Sequence, residues 1–168
     1  MATTGEHHPA FEEYCECIFE LREDHIDVIQ ARVADRLGVS RPSVSEMIKR
    51  MELEGLIVIR GAKISLTSDG DVLAERVVRR HRIAERFLTD VLGLSWANAH
   101  HEAGKWEHIM NQDVESAMNR VLHNPTTCPH GNPIPGSSYR QERLSPLSDV
   151  LEGKLFTISR IPEELEFA

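Results

Sequence analysis

Ser40-Arg41-Pro42-Ser43-Val44-Ser45-Glu46-Met47-Ile48-Lys49-Arg50-Met51, followed after Gly55 by Leu56-Ile57-Val58-Ile59-Arg60-Gly61-Ala62-Lys63-Ile64-Ser65-Leu66-Thr67, decides the fold. Ser40 suits a helix N-cap, and Pro42 is tolerated in a first turn. Val44, Met47, Ile48 and Met51 recur at three- and four-residue steps, so the spacing predicts a helix ending near Glu54-Gly55. The pattern then changes. Leu56 to Arg60 is short and β-branched, Gly61-Ala62-Lys63 turns the chain, and Ile64 to Thr67 returns as a second strand.

Upstream, a first helix is expected from about Pro9 to Glu23. Phe11, Tyr14, Ile18 and Leu21 form its buried stripe, with Glu13, Glu16 and Glu20 away from it. A second, short helix fits Ile29 to Leu37 and stops at Gly38. Three helices followed by a hairpin make a winged helix-turn-helix. Downstream, Ser68-Asp69-Gly70-Asp71 reads as a capping box opening a long helix to about Val91. Gly93 ends it. Ser95 caps a helix from Trp96 to Met110, and another runs from about Asp113 to Leu122. The prolines and glycines from Asn124 to Gly136 make a loop. Leu155 to Ile161 reads as a lone strand, which cannot bury itself.

The 168 residues suffice for one or two domains with a real core. A hydrophobic share of 40% and a charged share of 27% fit a soluble globular protein. No run is long and apolar enough to span a bilayer, and the N-terminus lacks the features of a signal peptide, so a cytoplasmic location is expected. Cys15, Cys17 and Cys128 form no CxxC pair and suit a reducing compartment. A net charge of −8 argues against non-specific nucleic-acid binding. The stretch from Arg32 to Lys63 is nonetheless locally basic and suited to phosphate.

Two clusters carry metal-binding chemistry. His81 and Glu85 lie four apart on the long helix. In His100-His101-Glu102-Ala103-Gly104-Lys105-Trp106-Glu107-His108, residues turn by about 100° each, which puts His100, Gly104, Glu107 and His108 on one face. His101 points away and reads as solvated. Imidazoles with carboxylates at such spacings form a ligand set for a divalent transition metal. Cys17 reads as a packing residue. Cys128 and His130 have no second ligand pair at zinc-finger spacing and are not expected to hold zinc.

The winged helix ending in Ile64-Ser65-Leu66-Thr67, His81-Arg82-Ile83-Ala84-Glu85-Arg86, the His100 to His108 segment and His130-Gly131-Asn132-Pro133-Ile134-Pro135-Gly136 together resemble the diphtheria toxin repressor family of metal-dependent regulators. The resemblance covers nearly the whole chain. It implies a mainly α fold: a winged-helix DNA-binding domain over residues 1–70, an all-α dimerisation and metal-binding domain over 71–136, and over 137–168 a linker and the start of a small SH3-like β-barrel.

The resemblance also implies two metal sites. The primary one would use Glu13, Glu107, His108 and position 104, with Glu16 nearby. The ancillary one would use His81, Glu85 and His100, with Glu163 and Glu166 as loose counterparts of third-domain ligands. Two departures bear on the metal. Glu13 stands where iron-responsive members carry methionine and manganese-responsive ones a carboxylate. Gly104 stands where cysteine or glutamate is usual and offers only its carbonyl. The implied effector is Mn²⁺ or Fe²⁺, with Mn²⁺ favoured by the oxygen-rich donor set.

For DNA, Ser40, Arg41, Pro42, Ser43, Ser45, Lys49 and Arg50 form the recognition surface, with Arg60 and Lys63 on the wing reaching phosphate. Glu46 has two readings: an acceptor for a cytosine amino group, or a partner of Arg50 one turn on. The expected protein is a homodimeric, metal-activated repressor on double-stranded operator DNA, without a membrane partner. A metalloenzyme is a weaker expectation, since HExxH and paired Glu-x-x-His motifs are missing from the clusters. A winged-helix regulator answering a small ligand, or an oxidant through Cys15 or Cys17, is the remaining alternative.

Overall fold

Helix α1, Pro9–Glu23, starts at His8, whose Nδ1 accepts from the Ala10 amide at 3.2 Å. The computed structural model describes residues 8–140 and 143–162. Phe11, Tyr14, Ile18 and Leu21 are buried as their spacing requires, but so are Cys15, Glu16 and Cys17. Five consecutive buried residues, Tyr14 to Ile18, exceed a single apolar stripe, so α1 is covered over most of its girth there. Glu16 is therefore not on an outward face, whereas Glu13 is exposed.

The chain divides into two units, Met1–Val78 and Arg79–Ala168. In the first, α2 (Gln30–Leu37) ends on Gly38, and α3 (Arg41–Leu53) is capped by Ser40, whose hydroxyl accepts from the Ser43 amide at 3.3 Å. Val44, Ile48 and Met51 of α3 enter one core with Ile18, Leu21 and Val33. Arg36 of α2 is bonded to Glu20 at 3.4 Å and to Asp24 at 3.1 Å. Strands β1 (Ile57–Arg60) and β2 (Lys63–Leu66) pair antiparallel, with Ile57 opposite Leu66 and Arg60 opposite Lys63. Alternation sends Ile57, Ile64 and Leu66 into the same core. Three helices and this hairpin are the winged helix-turn-helix.

The long helix α4 is Ser68–Asp90. Its cap is Thr67 rather than a box begun by Ser68. The Thr67 hydroxyl accepts from the Gly70 amide at 3.1 Å and donates to the Gly55 carbonyl at 2.6 Å. This ties the start of α4 to the turn before β1. Gly70 sits so close to the strand that a Cβ there would lie 2.0 Å from the Leu56 carbonyl oxygen.

In the second unit, α5 (Trp96–Trp106) and α6 (Gln112–Val121) follow, capped by Ser95 and Asn111. Ile83, Leu88, Ala99, Ala103, Met110, Met118 and Ile134 form their core with the last turns of α4. The helix expected to reach Met110 stops at Trp106, and Glu107 is its C-cap. The third-domain expectation is not met among the described residues. There Leu147–Asp149 is a short 3₁₀ turn (η1), Leu155 to Ile161 has no strand partner, and β1–β2 is the sheet. An extended segment becomes a strand only when a neighbour completes its ladder. Glu163 and Glu166 lie outside the described residues. No helix among them is long and apolar enough to cross a membrane.

Two glycine substitutions should have opposite signs. Gly70→Ala forces the α4 start off the strand and should destabilise the protein by about 1–3 kcal/mol. At Gly104, inside α5, a Cβ meets nothing within 4 Å. Gly104→Ala should stabilise the metal-free protein by about 0.5–1 kcal/mol. Urea unfolding of both variants checks the pair.

Candidate metal centre

α4 brings His81 and Glu85 to one face, one turn apart, and both side chains are almost wholly buried. His81 is the hub. Its Nδ1 is 2.5 Å from Glu107 Oε2, and its Nε2 is 3.0 Å from His100 Nδ1 and 3.4 Å from Glu85 Oε1. His100 Nδ1 is also 2.9 Å from Glu85 Oε1. Glu107 Oε1 lies 3.2 Å from His108 Nε2. The set expected as ancillary (His81, Glu85, His100) and the pair expected as primary (Glu107, His108) are thus joined through one imidazole. Because α5 ends at Trp106, Glu107 and His108 follow its last turn rather than forming a stripe with His100.

The loop adds two residues that sequence reasoning set aside. His130 Nδ1 lies 3.7 Å from Glu85 Oε1, and Cys128 Sγ lies 3.8 Å from His130 Nδ1. Glu85, Cys128 and His130 have donor atoms all within 4.8 Å of one another, as have His81, Glu85 and His100. The spacing gave no sign of this proximity, because the group beside Cys-x-His is a helix carboxylate and not a second Cys or His motif.

Arginines of α4 hold this loop in place. Arg79 donates to the Pro135 carbonyl at 2.8 Å and Arg82 to the Pro133 carbonyl at 2.5 Å. Arg79 also bonds the buried Glu115 of α6 at 2.6 Å. On the loop's other side the Ile161 amide donates to the His130 carbonyl at 3.0 Å, and Arg160 donates to Asn132 Oδ1 at 2.5 Å. That crossing requires Gly131, which has φ +85°, and a Cβ there would lie 2.0 Å from the Ser159 carbonyl oxygen.

Electrostatics fit a cation. Burial alone would lower the pKa of His81, but the charges of Glu107 and Glu85 and the hydrogen bonds to them hold it well above the ordinary imidazole value. Burial pushes Glu85 up, yet the His81 charge and the hydrogen bonds from His100, His130 and His81 bring it well below the usual carboxylate range. Glu85 Oε2 is buried with no hydrogen-bond partner among the described residues. A desolvated carboxylate oxygen of this kind favours a positive charge beside it. Imidazole nitrogens, carboxylate oxygens and one thiol at mutual contact distance are donors for a divalent transition metal.

Other expected residues stand as follows. Gly104 is half-buried on α5, and Glu13 is exposed on α1. Cys17 is packed in the first core, as expected of it. Cys15 is fully buried, and its thiol is pushed up to about 12 by burial, then by Glu12 and Asp71. That keeps it protonated and unreactive. On the recognition helix, Ser40, Arg41, Pro42, Ser43, Glu46, Lys49 and Arg50 are exposed and Ser45 is half-buried. On the wing, Arg60 is exposed, while Lys63 is paired with Asp27 at 2.9 Å in full contact with solvent.

The sequence matches two adjacent family descriptions. "Iron dependent repressor, N-terminal DNA binding domain" matches residues 8–63, and "Iron dependent repressor, metal binding and dimerisation domain" matches residues 67–136. The iron-dependent repressor IdeR of Mycobacterium tuberculosis is 48% identical over 126 residues, which are 74% of this chain and 55% of that protein. The diphtheria toxin repressor of Corynebacterium diphtheriae is 44% identical over 126 residues, covering 74% of this chain and 56% of that protein. The chain thus spans little more than half the length of these relatives. A solved manganese-dependent transcriptional repressor in complex with manganese superposes with a TM-score of 0.72 at 33% identity, covering 77% of this chain and 60% of that one. Matched in order through both its winged helix and its imidazole–carboxylate unit, the chain belongs to the iron-dependent repressor family, the family of the diphtheria toxin repressor.

Proposed function

We propose that this protein is a metal-activated, homodimeric DNA-binding repressor controlling manganese or iron homeostasis genes. The buried imidazole–carboxylate cluster around His81 carries the proposal, because it gathers donor atoms and desolvated negative charge at one point. Membership of a repressor family, together with relatives named for iron and for manganese, supports it. When bound, a divalent cation would supply the charge that draws these carboxylates and imidazoles together. His81, Glu85 and His100 are proposed as one ligand group, with Cys128 and His130 added from the loop. Glu107 and His108 are proposed as the other, completed by Glu13 or Glu16 and the Gly104 carbonyl. A metal that binds the DNA-competent state better would shift the population toward it, which is how an effector acts.

Ser40, Arg41, Pro42, Ser43, Ser45, Glu46, Lys49, Arg50 and Arg60 are the proposed DNA surface. Lys63 joins it only by exchanging Asp27 for phosphate, an exchange that solvent exposure makes inexpensive. A dimer would set two recognition helices roughly 34 Å apart, or a multiple of it, to match one turn of duplex. The exposed Val91, Leu92 and Trp96, beside half-buried Leu94, are the proposed interface. The oxidant-sensing alternative is disfavoured by the buried, protonated Cys15.

The governing experiment is a titration of DNA binding against Mn²⁺ and Fe²⁺ under anaerobic conditions. Either metal should raise specific affinity, chelator should abolish it, and sedimentation should show a dimer. Equal affinity with and without metal would refute the proposal. Glu13→Ala and Glu16→Ala assign the α1 ligand, since the true ligand loses the metal response. Cys128 brings a soft donor that the oxygen-rich donor set lacked. Cys128→Ser should therefore weaken Zn²⁺ and Fe²⁺ more than Mn²⁺, as competition calorimetry would read.

The pH dependence has two signs. Without metal, the stability from His81 is fully present below about pH 6.5 and is lost as pH rises through its elevated folded pKa. The contribution of Glu85 is present above about pH 4.3 and is lost as pH falls through its depressed one. Melting of the metal-free protein should accordingly weaken on the alkaline side. Metal affinity should do the opposite. A ligating imidazole must be neutral, so each proton expelled tightens binding by about tenfold per pH unit until His81 is deprotonated. Calorimetry in buffers of different ionisation enthalpy counts that proton, and its absence would remove His81 from the ligand set.

A further inference from the structure

The outward face of α3 carries a carboxylate at its centre. Val44, Ile48 and Met51 are the buried residues of this helix. At about 100° per residue, position 46 lies roughly opposite their mean direction. Glu46 is exposed there, on the same ridge as exposed Pro42, Lys49 and Leu53. Among the described residues it has neither an ion pair nor a hydrogen bond. Arg50, one turn on, lies instead over the Phe11 ring, 5.4 Å from its centroid. The hydroxyls of Ser40 and Ser43 are joined to each other at 2.8 Å. In the first turns of α3, the cap therefore occupies the hydroxyls and the core occupies Val44. Arg41, Pro42 and Glu46 are left exposed, with Pro42 and Glu46 opposite the buried face.

A lone carboxylate on the face that meets a polyanion lowers affinity for every sequence. Nothing in the fold requires it, since it is exposed and, among the described residues, pairs with no cation. Its benefit lies in discrimination. A carboxylate only accepts hydrogen bonds. In the major groove, cytosine presents a donor amino group, guanine two acceptors, and thymine an acceptor beside its methyl group. Adenine presents a donor adjacent to an acceptor. A carboxylate is therefore satisfied at cytosine and repelled in part or in full at the other three.

We propose that Glu46 is the specificity-determining residue of the recognition helix and reads one cytosine in each operator half-site. This rests on the reading of the chain as a metal-activated DNA-binding protein. The test is selection from a randomised duplex pool by the full chain with Mn²⁺, in parallel with Glu46→Gln and Glu46→Ala, followed by sequencing of the bound fraction. The unsubstituted protein should favour cytosine at one position of each half-site by about 5- to 100-fold over thymine. Glu46→Gln should move that position to adenine, which an amide contacts through two hydrogen bonds. Glu46→Ala should lose the preference at that position alone and bind random duplex more tightly. Unchanged preferences in Glu46→Ala, with a site still enriched, overturn this inference and leave the proposed function standing. A pool from which the unsubstituted protein enriches nothing, in Mn²⁺ or Fe²⁺, overturns both.

Discussion

Glu85 and Glu107 converge on a single imidazole, that of His81, out of reach of solvent. Burying two carboxylates costs several kcal/mol each unless a positive charge or strong donors meet them. In the metal-free protein, the proton on His81 supplies that charge, and His100 and His130 add donors to Glu85. On the proposed function, the same arrangement that makes His81 hold a proton would favour a cation in the pocket. Proton and metal would then compete for one imidazole lone pair and one pocket of negative potential. A cluster of this kind is costly as a device for stability alone, since apolar residues of similar volume often serve as well. A ligand site, as proposed, accounts for that cost.

The cluster depends in turn on how α4 disposes its arginines. Arg79 and Arg82 are three apart and lie on neighbouring lines of the helix, so both reach the loop from 133 to 135. They satisfy carbonyls that the prolines leave outside any regular ladder. The loop then offers Cys128 and His130 to Glu85 from a fixed direction. On its far side, the backbone of residues 159–161 crosses at Gly131 and bonds to His130. The candidate metal donors, the loop and the segment 159–161 therefore meet within a few residues.

In the winged helix the division of labour is simpler. Burial of Val44, Ile48 and Met51 orients α3, and Ser40 begins it, so the exposed ridge is set by the core beneath it. The hairpin adds Ile57 and Ile64 below and Arg60 and Lys63 above. Exposure alone does not make a phosphate ligand: Lys63 is engaged by Asp27 and Arg50 by Phe11. On the proposed reading of Glu46, a change on this ridge would alter the operator without altering what holds the helix.

Local rules were enough for much of this. The three-and-four spacing of apolar residues, Ser40, Gly38 and the β-branched run after Gly55 placed the helices and hairpin to within a few residues, because caps, turns and periodicity are properties of short segments. The i, i+4 step placed His81 beside Glu85 for the same reason. Local reasoning failed where partners are distant in sequence. It left Cys128 and His130 without a neighbouring donor, because Glu85 is more than forty positions away and only the folded loop brings them together. It put Glu16 on an outward face of α1, where tertiary packing covers it. It counted His81 with one site when Glu107 also bonds it. It read Leu155 to Ile161 as a strand, although a strand exists only when another chain segment completes its hydrogen bonds. The sequence by itself determined which residue types were available and how each helix faces its own core. The tertiary structure alone decided which donors converge, because convergence depends on burial and on contacts across the chain, and neither is encoded in a spacing.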